Sequence, residues 1–318
     1  MKKTKSPCTG TGKYEKLLAA CSKLSPVSTA VAYPCEESAL TAAVEAAQAG
    51  LIQPILVGPE GMIRTLARRL KIDLEPFAVV DAPNSRAAAA KAVELVREGA
   101  AEILMKGSLH TDEFLGAIIA RETGLRTGRR LSHVFLMDVP TYHKVLIITD
   151  AAINIAPALE EKADIVQNAI DLAIALGVAQ PKVGILSAVE TVTSKIPSTL
   201  DAAALCKMAD RGQIKGGLLD GPLAFDNAIS KAAAKTKGIA SAVAGDVDIL
   251  LAPDLESGNM LAKQLSFLAN ADSAGLVLGA RVPVVLTSRA DSVRARLASA
   301  GVAVRLAHAR RTGGGKSS

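Results

Sequence analysis

The stretch Asn84–Leu115, with the sequence NSRAAAAKAVELVREGAAEILMKGSLHTDEFL, decides the fold class. Its first half has alanine, valine and leucine at helical spacing, with Asn84 or Ser85 as the N-cap and Gly99 at the end. The apolar run ILM follows as a buried strand, and a second helical segment begins with Thr111 as its cap. A strand between two helices in so short a stretch is typical of a parallel sheet with helices on both faces.

The same alternation of short apolar runs and helical segments extends along most of the chain. Two neighbouring runs, LSHVFLMDV and HKVLIITDA, break the pattern, because only the Pro-containing turn PTYH separates them. Such spacing predicts a hairpin, and therefore some antiparallel pairing in an otherwise parallel sheet. Near the end of the chain, the sequence predicts a helix over DSVRARLASAG and a final strand over VAVRLA.

A chain of 318 residues is too long for one ordinary core, and the hairpin marks the predicted break between two domains. We predict an α/β fold of two α/β/α domains with mainly parallel sheets and an active-site cleft between the domains. The N-terminal α/β domain would span residues 1–133 and be completed by residues 288–318. The second α/β domain would span residues 134–287.

The composition excludes several classes of protein. Apolar residues make up 49% of the chain and charged residues 21%, which indicates a well-packed core and not a disordered chain. Aromatic residues are only 3% and no long stripe of Lys and Arg is present, so we expect no nucleic-acid partner. Part of the net charge of +6 lies at the ends of the chain, and the mild remainder is compatible with an anionic small-molecule substrate.

The cysteines and the hydropathy pattern predict a cytoplasmic protein without a membrane partner. Cys8, Cys21, Cys35 and Cys206 form no CxxC pair, so neither a disulfide framework nor a zinc site is expected. MKKTK at the start is followed by polar residues and not by an apolar signal segment. No run of 18 apolar residues is present that would span a membrane.

Candidate substrate-binding residues follow the predicted strands, because ligands of open parallel sheets bind beyond the carboxyl ends of strands. Glycine lets backbone N–H groups approach an anion, and lysine adds positive charge. Polar residues and glycines of this kind are Lys106, Gly107, Ser108, Thr111, Asn154, Asp220, Gly221, Pro222, Asn227, Gly258 and Asn259.

Most of these residues also have a purely structural interpretation. Thr111 is a common kind of N-cap, and the acidic residues after it oppose an anion at that helix start. The DGP sequence is typical of a tight turn, and ESGN of a helix start with Ser257 or Gly258 at the cap. Each histidine is more often structural than catalytic.

The standard sequence motifs of nucleotide-binding and hydrolytic enzymes are absent. The chain has no GxGxxG, HExxH or GxSxG, and the terminal GGGKSS lacks the spacing and the following helix of a phosphate-binding loop. Composition and spacing alone therefore predict a two-domain α/β enzyme with a polar cleft and an anionic substrate.

Several longer motifs carry a resemblance to a known family. ILMKGSLHTDEFL, GLRTGRRLSHVFLMD, DAAINIAPALEEKADIVQNAI, LLDGPLAFDNAISKAAA, VAGDVDILLAPDLESGNMLAKQL and GARVPVVLTSRADS together resemble the phosphate acetyltransferase and phosphate butyryltransferase family. The resemblance runs from about Thr29 to Ala298. It implies an architecture related to the isocitrate and isopropylmalate dehydrogenases, a homodimer, and reversible acyl transfer between coenzyme A and inorganic phosphate. The implied partners are acyl-CoA and phosphate, with no metal or redox cofactor.

The resemblance also implies the catalytic residues. The family's Ser-Arg pair after a buried strand matches Ser288 and Arg289, which would bind the acyl carbonyl oxygen and the phosphate respectively. Acetyltransferases of the family place a carboxylate seven positions beyond the serine, where this chain has Ala295. Asp291 is the alternative base, although it could simply cap the following helix. The expected acyl group is acetyl first and butyryl second.

Two other functions remain open from the sequence. One is a fold-related metal- and NAD-dependent hydroxyacid dehydrogenase, for which Asp220, Asp226 and Asp254 are the possible metal ligands. The other is a non-catalytic acyl-CoA-binding protein. The basic turn Arg126–Arg130 could bind CoA phosphates, although a solvated turn is the more common role for such a segment.

Overall fold

The computed structural model of the protein describes residues 12–21, 23–287 and 291–313. The helices among them are α1 (Lys13–Cys21), α2 (Glu37–Gln48), α3 (Glu60–Leu70), α4 (Ser85–Arg97), α5 (Thr111–Ile119), α6 (Leu159–Ala175), α7 (Pro197–Asp210), α8 (Phe225–Ile229), α9 (Lys231–Thr236), α10 (Leu255–Leu268) and α11 (Val293–Gly313). The strands are β1 (Val27–Ala32), β2 (Ile52–Gly58), β3 (Ala78–Asp81), β4 (Ile103–Lys106), β5 (Ser132–Asp138), β6 (Leu146–Thr149), β7 (Lys182–Leu186), β8 (Leu218–Leu223), β9 (Ile249–Leu251), β10 (Asp272–Leu278) and β11 (Val284–Val285).

All of these strands belong to one sheet with the order β3-β2-β1-β4-β11-β10-β5-β6-β9-β7-β8. Strands β1, β2, β3, β4 and β11 are parallel to one another, and so are β6, β7, β8 and β9. Strand β5 pairs antiparallel with both β10 and β6, which confirms the predicted hairpin. Strand β10 is also antiparallel to β11, so three successive antiparallel pairings join the two parallel halves, which therefore run in opposite directions.

The predicted helix signals are confirmed around β4. The side chain of Asn84 accepts a hydrogen bond from the backbone N–H of Ala87 at 2.9 Å, so Asn84 is the N-cap of α4. Gly99 follows the helix with a φ of +77°, a conformation that favours glycine at a helix end. Thr111 is not a cap, because the N-cap of α5 is His110 and Thr111 is the first helical residue.

The two faces of the sheet are packed differently. On one face a single core cluster extends across both parallel halves, and includes Leu40 of α2, Ile165 of α6 and Val304 of α11. On the other face there are two core clusters: one contains Phe114 of α5, and the other contains Ala262 of α10. The face covered by α4, α5, α8, α9 and α10 is therefore the face on which a cleft can open between the halves, and we call it the divided face.

The predicted final strand VAVRLA is wrong, because these residues belong to the long helix α11. Nearly every residue from Ala298 to Ala307 is buried, so the helix shows no polar face to distinguish it from a buried strand. Gly301 does not end the helix: a Cβ at this position would lie 3.4 Å from the sulfur of Cys21, so the glycine lies where α1 packs on α11.

The start of α11 also differs from the expectation. Ser292, and not Asp291, caps the helix, because its Oγ accepts a hydrogen bond from the N–H of Ala295 at 3.1 Å. The N-cap of α10 is Asp254, whose side chain accepts from Ser257, and not Ser257 or Gly258 as predicted. The domain boundaries after residues 133 and 287 stay a prediction. None of the helices within the described ranges is long and apolar enough to cross a membrane.

Candidate active site

The carboxyl ends of β1, β4 and β11 lie side by side at one edge of the sheet. Lys106 is the last residue of β4 and is only 9% exposed. Leu104, two residues earlier, belongs to a core cluster of the divided face, and side chains alternate along a strand. Lys106 therefore points towards the divided face, at the end of a buried strand.

The loop after β4 packs tightly against the loop after β1. A Cβ at Gly107 would lie 2.4 Å from the carbonyl oxygens of Ala32 and Tyr33, so no larger residue fits there. The hydroxyl of Ser108 donates to the carbonyl of Tyr33 at 2.8 Å and accepts from the N–H of Cys35 at 3.0 Å. Gly107 and Ser108 thus fix the position of Lys106, which supports their selection but makes Ser108 a structural residue.

Asp291 lies at the same edge of the sheet. It lines a cavity of about 480 Å³ together with Glu36, Ser38 and Arg296. Arg296 donates to the carbonyl of Asp291 at 3.3 Å and to that of Ser38 at 3.0 Å, so it links the start of α11 to the start of α2. The loop after β1 therefore has Ser108 on one side and Asp291 on the other.

Ser288 and Arg289 lie outside the described residues, and their predicted roles stay predictions. The described chain on either side ends at Thr287, just beyond β11, and begins again at Asp291. The segment that carries the predicted Ser-Arg pair therefore follows the strand that pairs with β4.

A second group of predicted residues is assembled around the buried carboxylate of Asp150, which follows β6. Asp150 accepts hydrogen bonds from the N–H groups of Ala152 at 2.8 Å, Ile153 at 3.0 Å and His133 at 3.2 Å. Its second oxygen also accepts from the side-chain amide of Asn154 at 2.5 Å. Asn154 is therefore held in place by Asp150, which the sequence analysis did not select.

Helix α10 closes over this loop. A Cβ at Gly258 would lie 2.3 Å from the carbonyl oxygen of Asp150, so glycine allows the helix to touch the loop directly. The side chain of Asn259 donates to the carbonyl of Ala151 at 3.0 Å. Asn154, Gly258 and Asn259, predicted from two separate strand ends, thus form one group.

The remaining predicted residues lie near the far side of the sheet. Gly221 packs against Ile185 and Ala202, where a Cβ would lie 2.8 Å from the Cβ of Ile185, so its role is in the core. Asp220 accepts a hydrogen bond from the N–H of Gly221 at 2.9 Å, and Pro222 follows in the same strand. Asn227 is fully buried and donates to Glu190 at 3.4 Å, while its side-chain oxygen has no partner.

The sheet separates these groups. Seven strand spacings of about 4.8 Å lie between β4 and β8, so Lys106 and Asp220 are roughly 34 Å apart along the sheet. They cannot contact the same small substrate group. Strands β6, β8 and β9 run in the opposite direction to β4 and β11, so their carboxyl ends lie at the opposite edge of the sheet. The substrate-binding roles of the residues at the two edges stay predictions.

The basic turn before β5 is neutralised by acidic side chains of α6. Arg129 forms an ion pair with Asp171, and Arg130 forms one with Glu161 at 2.5 Å. Arg130 also donates to the side-chain oxygen of Asn154 at 2.5 Å. These contacts favour a structural role for Arg129 and Arg130.

His133 is the most unusual polar residue of the divided face. It is fully buried near the start of β5, and neither ring nitrogen has a hydrogen-bond partner. Burial lowers the pKa of His133 to about 4, against the opposing effect of the Asp150 carboxylate. The imidazole is therefore neutral at pH 7. The only sign in the sequence that His133 is unusual is its place as a polar residue within the apolar run LSHVFLMD.

Cysteine nucleophiles are not available near the site in the described part of the chain. Cys35 follows β1 beside Ser108, and burial raises the pKa of its thiol to about 11. Burial likewise raises the pKa of Cys206 to about 12 and that of Cys21 to about 11. Because the thiolate is the nucleophilic form, these cysteines are inert at neutral pH.

The predicted metal ligands of the dehydrogenase alternative are not brought together. Within residues 12–21, 23–287 and 291–313, no group of three or more His, Cys, Asp or Glu side chains is arranged to hold a metal ion. Asp254 is the N-cap of α10, whereas Asp220 lies within β8 and accepts from the N–H of Gly221.

Residues 84–304 match the sequence family described as "Phosphate acetyl/butaryl transferase". A phosphate acetyltransferase of Rhizobium meliloti is 64% identical over 299 residues, which cover 94% of this chain and 95% of the relative. A phosphate butyryltransferase of Clostridium acetobutylicum is 44% identical, with 87% of this chain and 92% of the relative covered.

Solved structures agree with these relatives. A branched-chain phosphotransacylase from Enterococcus faecalis V583 superposes with a TM-score of 0.78 at 31% identity, covering 89% of this chain and 99% of the other. A 4-hydroxythreonine-4-phosphate dehydrogenase from Salmonella typhimurium superposes with a TM-score of 0.58 at 12% identity, covering 89% and 100%, and shows a shared fold alone. The fold and these relatives define a phosphotransacylase-type α/β enzyme. The chain belongs to the phosphate acetyltransferase and phosphate butyryltransferase family.

We predict that Gly107→Ala impairs the enzyme while Gly116→Ala does not. A methyl group at Gly107 would collide with two carbonyl oxygens and displace Lys106, so we expect a loss of about 10- to 100-fold in kcat/KM. Gly116 lies in α5 with open space around its Cβ position, and alanine there should stabilise the helix by about 0.5–1 kcal/mol. Steady-state kinetics and thermal unfolding of both variants test this; equal activity of the two would contradict it.

We predict that acid destabilises the protein through His133. Below pH 6.5 the unfolded chain binds a proton at this residue, whereas the native state binds it only near pH 4. The free energy of unfolding should therefore fall as the pH drops from about 6.5 to about 4. In urea titrations, His133→Leu should show a shallower pH dependence over this window than the unmodified chain, and identical slopes would show that His133 is not buried neutral.

Proposed function

We propose that this enzyme transfers an acyl group reversibly between coenzyme A and inorganic phosphate, with acetyl as the preferred group and butyryl as the second. The observation that carries the proposal is the close relationship to phosphate acyltransferases along nearly the whole chain, together with a buried cation at the edge where β4 and β11 end. The preference for acetyl follows the 64% identity to an acetyltransferase, against 44% to a butyryltransferase.

The reaction forms a bond between a phosphate oxygen and the acyl carbon and breaks the bond from that carbon to the CoA sulfur. It passes through a tetrahedral oxyanion, which fixed hydrogen-bond donors stabilise. In our proposal Ser288 donates to this oxygen. Arg289 binds phosphate through a bidentate pair of charge-assisted hydrogen bonds, and Lys106 adds a second positive charge.

The proton of the CoA thiol needs an acceptor in the direction that consumes acyl phosphate. Asp291 is the carboxylate that we assign to this step, because it lies at the same edge and does not cap α11. Glu36 lines the same cavity and is the alternative acceptor. Neither residue stands at the spacing that acetyltransferases of the family use, since position 295 is alanine.

We propose direct transfer in a ternary complex, without an acyl-enzyme. The protonated state of Cys35 supports this, because a thiol with a pKa of about 11 is a poor acyl acceptor at neutral pH.

We further propose that no metal or redox cofactor takes part, so that activity should be unaffected by chelators and by the absence of NAD. A location in the cytoplasm is consistent with reduced cysteines.

We also propose a homodimer formed through α10. Met260, Phe267 and Ile155 expose 57%, 77% and 76% of their surface, and Leu268 exposes 81%. Met260 and Phe267 are seven residues apart and therefore lie on one side of the helix. Large exposed apolar residues on one helix favour a second copy as the partner, because a symmetric pair buries the same surface on both chains.

The function is tested by CoA release from acetyl-, butyryl- and hexanoyl-CoA in the presence of phosphate. We expect turnover with acetyl-CoA, less with butyryl-CoA, and no change on adding EDTA. Ser288→Ala should lower kcat by roughly 10- to 1000-fold, because one oxyanion donor is lost. Arg289→Lys should raise the KM for phosphate, since a lysine cannot form the bidentate pair.

Controls separate the function from the site assignment. The Arg211→Lys variant, at an exposed position beyond α7, should behave as the unmodified enzyme. No CoA release with any acyl-CoA would refute the function. Full turnover of folded Ser288→Ala and Arg289→Ala would leave the function standing and refute our placement of the chemistry.

The dimer is tested by sedimentation velocity. We expect Phe267→Glu to yield monomers, because it places a charge in the centre of the proposed contact. Met62→Glu, which alters a 50% exposed residue of α3 outside that contact, should remain dimeric. An unmodified chain that sediments as a monomer would contradict the proposal.

A further inference from the structure

A second cavity lies on the opposite face of the sheet from the divided face. Its volume is about 510 Å³, which is within the range of about 300–1,000 Å³ typical of ligand pockets. Helices α1, α6 and α11 form its walls, and strands β5, β6 and β10 form its floor. The side chains Leu136, Ile147 and Ala274 of this floor belong to the core that extends across both halves of the sheet.

The walls of this cavity are apolar. They consist of Leu17 and Ala20 of α1, Ala173 and Leu176 around the end of α6, and Ala298 and Val302 of α11. No catalytic or substrate-binding residue assigned above lines it. The cavity can therefore hold an aliphatic chain without displacing anything from the active site.

At one end of the cavity the charges are compensated. The amino group of Lys13 forms an ion pair with Asp138 at 3.0 Å and donates to the carbonyls of Val139, Tyr142 and Lys144. Lys144 in turn pairs with Asp248 at 3.1 Å. These groups are satisfied by one another, and the carboxylate of Asp272, which also lines the cavity, is paired with Arg294 at 2.8 Å.

Two further cations of the lining are not compensated. The side chains of Lys16 of α1 and Arg305 of α11, which line the cavity, have no hydrogen bond or ion pair among the residues that the structure describes. Arg305 is partly buried, with its guanidinium 4.0 Å from the Cβ position of Gly177 at the end of α6. An uncompensated guanidinium beside an apolar cavity favours an anionic group attached to a hydrophobic body.

We propose that this cavity is a binding site for a medium-chain aliphatic carboxylate, distinct from the active site. The alkyl chain occupies the apolar space between α1, α6 and α11, and the carboxylate pairs with Arg305 and Lys16. Because Ala298 and Val302 belong to α11, the bound chain contacts the helix that directly follows Asp291.

The test is calorimetric titration of the full chain with octanoate, hexanoate and butyrate, in the presence of saturating CoA and phosphate. We expect binding that tightens with chain length, by up to about fourfold for each added methylene. Octylamine should bind at least about tenfold more weakly than octanoate, because its charge opposes that of Arg305 and Lys16. Equal affinity for octylamine, or no binding of octanoate at millimolar concentration, would overturn the proposal.

Variants identify the place of binding. Arg305→Gln and Lys16→Gln, the latter at an exposed position, should each weaken octanoate binding. Ala20→Leu should abolish binding, because the larger side chain fills the cavity while leucine remains a good helix former. Arg211→Gln is the matched control and should bind as the unmodified chain does. Octanoate affinity unchanged in Lys16→Gln and Ala20→Leu would show that the carboxylate binds elsewhere, and the proposal would fail.

Discussion

The three successive antiparallel pairings, of β11 with β10, of β10 with β5 and of β5 with β6, are the constraint on which the rest of the structure depends. Parallel strands need crossover helices, and those helices place the ligand edge at the carboxyl ends of the strands. A reversal in the middle of the sheet gives the molecule two such edges, which face opposite ways. The residues after β4 and β11 therefore form one group, and the residues after β6 and β9 form another.

The reversal also explains why the two faces of the sheet differ. Val134, Leu276 and Val285 belong to one row of paired residues that continues into both halves, and α11 packs over its centre. This face is buried continuously, so hydrophobic burial joins the two halves into one body. The next row of paired residues, on the divided face, contains Gly275 and the partly exposed Phe135. The described helices on this face form two separate core clusters and not one continuous core over this row. The break between two core clusters is thus found on one face only of the described structure.

The sequence predicted the alternation of strands and helices, the hairpin and the cap of α4, because each depends on local periodicity or on one side chain. It failed at VAVRLA, because a helix buried on all sides has the same apolar pattern as a buried strand. It did not predict that β4 and β8 run in opposite directions, since strand direction is decided by pairing partners far away in the chain. His133 and Asp150 were not selected, because their importance lies in burial, which a single polar letter in an apolar run does not reveal.

Burial of Lys106 is balanced by the chemistry that we assign to its edge of the sheet. Lys106 is only 9% exposed, and a low-dielectric surrounding makes the loss of hydration of a charged group costly unless a negative charge is close. The carboxylates of Glu36 and Asp291 at the same edge supply negative charge in the free enzyme. A doubly charged phosphate approaching this edge must compete with them, and it is favoured only where the cations present outnumber the carboxylates. Arg289, which directly follows Ser288 in the sequence, would add the cation that shifts this balance towards phosphate. Ser288 and Arg289 are therefore needed together. Lysine in place of Arg289 should weaken phosphate binding more than it affects the step at the acyl carbonyl.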